Sequence, residues 1–206
     1  MNSAPTFDRV YTRIRSRILT GWWRPSARID LTLLADDLNA SITPIRDALY
    51  RLVGERLVVL GVSEGFAVPS LTEPDLHDRY RWNEMLILLA LGSLTKSPLG
   101  LPVFLLEPEN LETHPARLFQ EIAKRAGQSE LVAAVNIVSD RLAYARIVEL
   151  KLGIATLGET TDLLQALDDG APGVRRAAIT RYHRRRLQQC GRIVNAIHRD
   201  PRHDYM

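Results

Sequence analysis

Residues 30–54 read Asp30-Leu31-Thr32-Leu33-Leu34-Ala35-Asp36-Asp37-Leu38-Asn39-Ala40-Ser41-Ile42-Thr43-Pro44-Ile45-Arg46-Asp47-Ala48-Leu49-Tyr50-Arg51-Leu52-Val53-Gly54, and this stretch decides the fold. Asp30 is a good N-cap, and Leu31, Leu34, Ala35 and Leu38 follow at three- and four-residue spacings until Asn39, so the pattern predicts a helix of about two turns. Ala40 and Ser41 leave room only for a tight connection. Ser41 or Thr43 can then cap a longer helix in which Pro44 sits in the tolerant first turn. Ile45, Leu49 and Leu52 share one face of that helix, while Arg46, Tyr50 and Arg51 can point away from the core. A short helix, a tight turn and a longer helix make a helix-turn-helix.

Upstream, Val10, Tyr11, Ile14 and Ile18 recur at helical spacing, which predicts an amphipathic helix over 7–20. Gly21 stands where a left-handed helix end favours glycine, and Trp22-Trp23-Arg24-Pro25 breaks the pattern with bulky packing groups. Downstream, Leu57-Val58-Val59-Leu60 reads as a strand, Gly61 to Gly65 as a turn and Phe66-Ala67-Val68 as the returning strand, stopped by Pro69. A hairpin directly after a helix-turn-helix is a wing. Residues 1–70 are therefore expected to form a winged helix-turn-helix of three helices plus a β-hairpin.

Thr72 opens a second unit, with Asp75 three residues on as capping-box partner and Pro74 early in the helix. A long helix is expected from Leu76 to about Thr95, then a loop over Lys96 to Pro115 with a helical turn at Glu109 to Thr113. Further helices are expected at about 116–126, 129–152, 156–168 and 172–198, with no strand signal after Val68. The fold class is mainly α, and residues 71–206 are expected to be an all-helical bundle.

The chain of 206 residues is long enough for two such units, and no apolar run approaches the roughly 18 residues that a membrane crossing needs. The first residues lack a basic segment followed by an apolar one, so no secretory signal is visible, and Cys190, the one cysteine, excludes an internal disulfide and a cysteine-based zinc site. A cytoplasmic protein with no membrane partner is expected. Its net charge of +3 is unevenly spread: residues 1–70 hold 9 Arg against 7 Asp/Glu, 71–174 hold 9 Lys/Arg against 15, and 175–206 hold 9 Arg against 2. Basic ends around an acidic middle suit a chain whose ends approach phosphates. The run Arg181 to Arg186 reads as a solvent-exposed face. No nucleophile–base pair, phosphate-cradling glycine loop or zinc-helix motif is present, so an enzyme is not expected.

The run Ser41-Ile42-Thr43-Pro44-Ile45-Arg46-Asp47-Ala48-Leu49, behind Ala35-Asp36-Asp37-Leu38 and ahead of a glycine-bearing wing, resembles the DNA-binding domain of the GntR family over residues 8–69. The helical remainder resembles the sensor domain of the FadR-like subfamily, most clearly over Leu118-Phe119-Gln120-Glu121-Ile122-Ala123-Lys124-Arg125-Ala126-Gly127-Gln128-Ser129-Glu130-Leu131. The resemblance implies a homodimer that presents two recognition helices to double-stranded operator DNA, and a small-molecule effector, an organic acid among the candidates, that modulates it. Repression is the commoner sign in the family.

On that reading Arg46 is the leading DNA contact, a guanidinium able to fork onto a phosphate or a guanine edge. Ser41 and Thr43 can donate to phosphates or only cap; Gly65 lets the wing backbone approach the duplex or only turns the hairpin; Arg51 is a further candidate. Relatives usually carry arginine where this chain has Ile42, and many carry one at Thr32. Ile42 is expected against a thymine methyl or a sugar edge, and losing two cations lowers affinity and flattens its salt dependence. An alternative is a winged-helix dimerisation or interaction module, or a constitutive DNA binder whose sensor takes no effector.

The metal ligands that the resemblance implies fall on Ala116, Gln120, Thr160 and His183, of which only the last is a competent donor, so neither a metal nor a cofactor is expected. The arginine by which relatives hold carboxylate effectors falls on Asn83. The expected effector pocket lies between helices, mostly apolar, with Asn83, Arg141 and His183 among its polar groups; Tyr144 and Arg146 are neighbours able to contribute.

Overall fold

The computed structural model describes residues 3–61, 65–94, 99–101 and 111–199, in two compact units, Met1–Leu71 and Thr72–Met206. The first contains α1 (Ser3–Leu19), β1 (Arg28–Ile29), α2 (Leu31–Leu38), α3 (Ile42–Gly54), β2 (Val59–Leu60) and β3 (Phe66–Ala67). Val10, Ile14 and Ile18 of α1, Leu34 and Leu38 of α2, and Ile45, Ala48, Leu49 and Leu52 of α3 close on one another as a buried core capped by Phe66 and Val68. The helix stops follow local chemistry. Gly21 (φ 74°) and Asn39 (φ 46°) take the left-handed conformation that ends a helix, and Asp30 Oδ1 accepts from the amides of Thr32 (2.8 Å) and Leu33 (3.0 Å).

The wing is smaller than the apolar run suggests and has one strand more. Leu57 and Val58 are buried but unpaired with the sheet, because both amides donate to Leu52 O at the end of α3 (3.0 and 3.3 Å). Only Val59 and Leu60 pair with β3, opposite Ala67 and Phe66, and β1 takes the other edge of β3 with Ile29 opposite Phe66, giving the antiparallel order β1-β3-β2. A two-residue strand is too short for an alternation signal, which is why β1 escapes the sequence pattern. Gly61 N donates to Gly65 O (2.8 Å) across the hairpin; the rest of the turn, residues 62–64, lies outside the described residues.

Among its described residues the second unit has helices and no strand. It runs through α4 (Glu73–Gly92), a 3-10 turn (Leu111–Thr113), α5 (His114–Arg125), α6 (Ser129–Arg141), α7 (Ala143–Lys151), α8 (Leu157–Asp168), α9 (Pro172–Leu187) and α10 (Cys190–Arg199). The Thr72–Asp75 capping box forms as read: the Thr72 hydroxyl and the Asp75 carboxylate each satisfy the other's backbone end. α4 ends at Gly92, three residues short of expectation; most of the expected loop lies outside the described residues, as do the first two residues of its expected turn at Glu109 to Thr113, while Leu111–Thr113 form a 3-10 turn.

Two expected helices are broken. The span 129–152 divides at Leu142, and 172–198 divides at Gln188-Gln189. Neither break contains glycine or proline; Leu142, at the first, is fully buried. α8 starts from Thr156, whose hydroxyl accepts from Glu159 N (3.2 Å), and ends before Gly170, where a Cβ would lie 2.2 Å from Ala166 O. Around α4 pack α5, α6, α9 and α10, and they set the surroundings of its buried polar residues.

Candidate nucleic-acid interface and sensor core

On α3, Ile42, Arg46 and Tyr50 are four residues apart and all exposed, so they form one line along the helix flank, about a quarter-turn from the buried Ile45, Leu49 and Leu52. Arg46 has no hydrogen bond or ion pair among the described residues, which leaves its guanidinium available. Ser41 occupies the N-cap but its hydroxyl makes no capping bond; with Thr43 it lies exposed at the helix start, where free amides and the helix dipole favour an anion. Thr32 is exposed in the first turn of α2, and Gly65 is exposed at the hairpin.

Arg51 is placed differently. Its guanidinium carbon sits 3.9 Å from the centre of the Tyr11 ring and its Nε lies 3.3 Å from Glu55 Oε1, while the Tyr11 hydroxyl donates to the same carboxylate (2.8 Å). Burial, then the Glu55 hydrogen bond, raises the Tyr11 pKa. This trio ties α1 to α3. Two more arginines of α1 reach α2: Arg9 donates to Leu38 O (2.8 Å) and Arg17 pairs with Asp37. Much of the basic charge of α1 is thus spent on framing the helices. The sequence separations, 44 residues for Tyr11–Glu55, hide such contacts from a local pattern.

In the second unit Asn83 and His183 are brought together and Arg141 is not with them. The Asn83 side-chain amide lies 3.0 Å from His183 Nε2, His183 Nδ1 lies 2.9 Å from Ile179 O, and both residues are buried. Burial pushes the His183 pKa down to about 3, so the ring is neutral and its single N–H is committed to the Ile179 carbonyl. Nε2 is then left as an acceptor facing Asn83 Oδ1, and Asn83 Nδ2 is buried without a partner; turning the amide over by 180° would set its NH2 against Nε2. Arg141 lies instead by the start of α4, where Arg79 donates to its backbone oxygen (3.0 Å); burial, then the Arg141 charge, lowers the Arg79 pKa to about 10.

Phe119 stacks on His183 (centroids 5.6 Å, planes 22° apart) and meets Tyr182 edge-on (5.3 Å). Beside these rings Arg146, also buried, donates from Nη1 to Ser139 O (2.9 Å). Arg146 Nε, Ser139 Oγ, Tyr182 Oη and both ring nitrogens of His114 are buried with no partner among the described residues. Unpartnered buried polar groups are costly, on the order of 1–3 kcal/mol each, so those of Arg146, Ser139 and Tyr182, which lie near one another, are a feature to explain.

The run expected to be a solvated face is only partly so. Arg181, Arg184 and Arg185 are exposed, but Arg186 is 1% exposed, since it lies on the same side of α9 as Ile179, Tyr182 and His183. It donates to Glu149 Oε2 (2.9 Å) and to both Glu159 oxygens (2.7 Å each), stands 3.5 Å over the Tyr182 ring, and shares Glu149 with the Tyr80 hydroxyl. Burial opposes its charge, but Tyr182 and the two carboxylates outweigh that and raise its pKa. The i, i+4 repeat Ile179, His183 (with Tyr182 and Arg186 alongside) was the available signal for this burial.

Concavities open on this unit among its described residues. One, of about 730 Å³, is lined by Glu159, Asp162, Arg181 and Arg185 among others; another, of about 780 Å³, by Lys151, Arg192 and Arg199. Neither reaches Asn83, Arg141 or His183. The implied metal set does not fit: Ala116 has no donor atom, the Thr160 hydroxyl is turned onto Thr156 O (3.3 Å), and both His183 nitrogens are engaged. No group of three or more His, Cys, Asp or Glu suited to a metal occurs among the described residues.

Residues 6–68 match the family of bacterial regulatory proteins called the gntR family. Residues 6–68 are a GntR-family domain. Relatives of this chain include the HTH-type transcriptional regulator McbR of Escherichia coli, 32% identical over 96 residues, and the HTH-type transcriptional repressor GlaR of the same organism, 32% identical over 86. These matches cover 45% and 40% of this chain, and 43% and 39% of the relatives, less than half of either. The fold extends further. The solved structure of E. coli McbR/YncC superposes over 91% of this chain and 97% of its own (TM-score 0.70, 21% identity). A putative GntR transcriptional regulator from Rhodococcus sp. RHA1 superposes over 92% and 98% (TM-score 0.75, 19% identity). The winged helix followed by a helical bundle is thus a shared architecture. Among the described residues no helix is long and apolar enough to cross a membrane.

Proposed function

We propose that this protein is a cytoplasmic transcriptional regulator, a repressor, that reads double-stranded operator DNA as a homodimer and is modulated by a small molecule held in its FadR-like helical unit. The observation that carries the reading is the exposed face of α3: an unpaired Arg46 in the helix's N-terminal half, with Ser41, Ile42 and Thr43 around the free helix start. Arg46 reads a base edge or grips a phosphate, Ser41 and Thr43 donate to the backbone, Ile42 meets a thymine methyl or sugar edge, and Thr32 and Gly65 flank the contact. Arg51, exposed but held on Tyr11 and Glu55, braces α1 against α3.

The effector site of this reading is the buried cluster around Asn83 and His183, and the unpartnered groups of Arg146, Ser139 and Tyr182 support it. Donors without acceptors fit a ligand rich in acceptor oxygens, an organic acid for example. Such a ligand alters operator affinity to the extent that it binds one state of the protein better than the other. Trp82, Met85 and Leu89 of α4 and Ile137 of α6, all exposed, offer an apolar stripe for the second copy.

Selection of bound duplexes from a random pool by the full-length protein, at two salt concentrations, tests the DNA reading. An enriched palindrome is expected, and Arg46→Ala should weaken its binding by about 1–3 kcal/mol and relax selection at one position per half-site. Salt-sensitive binding without enrichment would defeat it in favour of a general DNA binder or an interaction module, which the missing cations at Thr32 and Ile42 otherwise favour.

A further inference from the structure

Tyr50 is 51% exposed on α3, yet its ring is not loose: it meets the buried Phe66 of β3 edge-on, with centroids 5.2 Å apart and planes at 76°. Helix and wing thus hold the ring between them, while its hydroxyl has no hydrogen-bond partner among the described residues. Folding gains nothing from that hydroxyl. A phenylalanine would make the same edge contact and bury the same surface.

Position gives the hydroxyl a use. Ile42, Arg46 and Tyr50 span about 12 Å of helix at 1.5 Å per residue, comparable to the width of the DNA major groove. In a helix-turn-helix the first residues of the recognition helix meet base edges, so a side chain two turns further along the same line arrives at the groove wall, where phosphates lie. Tyrosine hydroxyls are established phosphate donors, and a ring already held by Phe66 loses little rotamer freedom on binding.

We propose that Tyr50 donates its hydroxyl to one backbone phosphate in each half-site and so sets the depth at which α3 seats. This rests on the DNA reading above and adds a residue to it. The contact carries no sequence information, and because a phenol is neutral it displaces no counterion.

The test uses the full-length protein, the duplex enriched by selection and an unrelated duplex. Tyr50→Phe is expected to weaken binding to both by about five- to tenfold, with an unchanged salt slope. In phosphate-ethylation interference, one sensitive phosphate per half-site should become insensitive in the variant. Unchanged affinity, unchanged interference, or weakening confined to the enriched duplex would each overturn the proposal, the last by assigning Tyr50 to a base. Failure of the wild type to bind either duplex would instead remove the DNA reading itself, before any variant is compared.

Discussion

Arg186 and Glu159 face each other through two parallel hydrogen bonds of 2.7 Å, one from each terminal guanidinium nitrogen, inside the helical unit. The third arm of the guanidinium holds Glu149, so one cation fixes α7 and α8 to α9.

Removing that cation leaves Glu149, at 0% exposure, with only the Tyr80 hydroxyl, and Glu159 with only the exposed Arg185 at 3.6 Å. Arg186→Ala is therefore expected to lower the stability of the helical unit by about 3–5 kcal/mol, read from urea unfolding followed by circular dichroism. A loss under 1 kcal/mol would mean that water replaces the guanidinium without strain.

His183 makes stability depend on pH. Its folded pKa, pushed down to about 3, lies below the ordinary value of about 6.5 in the unfolded chain, so the unfolded state binds the proton first. The contribution is complete above about pH 6.5 and is lost as pH falls towards 3; between pH 7 and 5 the loss is about 2 kcal/mol. Denaturation of wild type and His183→Gln at both pH values should show the difference shrinking in the variant. Parallel losses in the two proteins would assign the pH dependence to other groups.

Arg51 separates framing from DNA contact. With its guanidinium on Tyr11 and Glu55, Arg51→Gln is expected to lower the melting temperature of the winged helix, at a cost of about 1 kcal/mol, while the salt slope of DNA binding stays the same. A slope lowered by about one would show that this side chain neutralises a phosphate.

In the proposed homodimer the α4 stripe is the contact between copies. Leu89, 58% exposed, stands one turn from Met85 and two from Trp82. Leu89→Glu is expected to convert a dimer to a monomer in sedimentation velocity while leaving helix content intact; a dimer that persists would place the interface elsewhere.

Local chemistry made the winged helix readable. Asp30, Asn39, Gly21 and the 3-4 spacing of Ile14, Leu34, Ile45 and Leu49 act within a turn or two of themselves, so they appear in sequence as they act in the fold. What escaped depends on distant partners. β1 exists because β3 passes beside Arg28 and Ile29, and the break at Leu142 lies in a run without glycine or proline. The buried polar core was legible only in part: His183 stood out as the surviving member of a ligand pattern, and Asn83 by its place on α4. Arg186, inside a run of four basic or polar residues, looked like its exposed neighbours, because a charge run conceals which member turns inward.

The Thr72–Asp75 capping box has a consequence for how such chains are assembled. The start signal of α4 is written in four consecutive residues and needs no contribution from residues 1–71 to satisfy its first amides. A junction placed just before Thr72 would therefore carry its own folding punctuation into any fusion. Recombination at that point can exchange the reading head without rewriting the helix that follows, which makes residue 72 the natural seam for grafting a different DNA-binding domain onto this bundle.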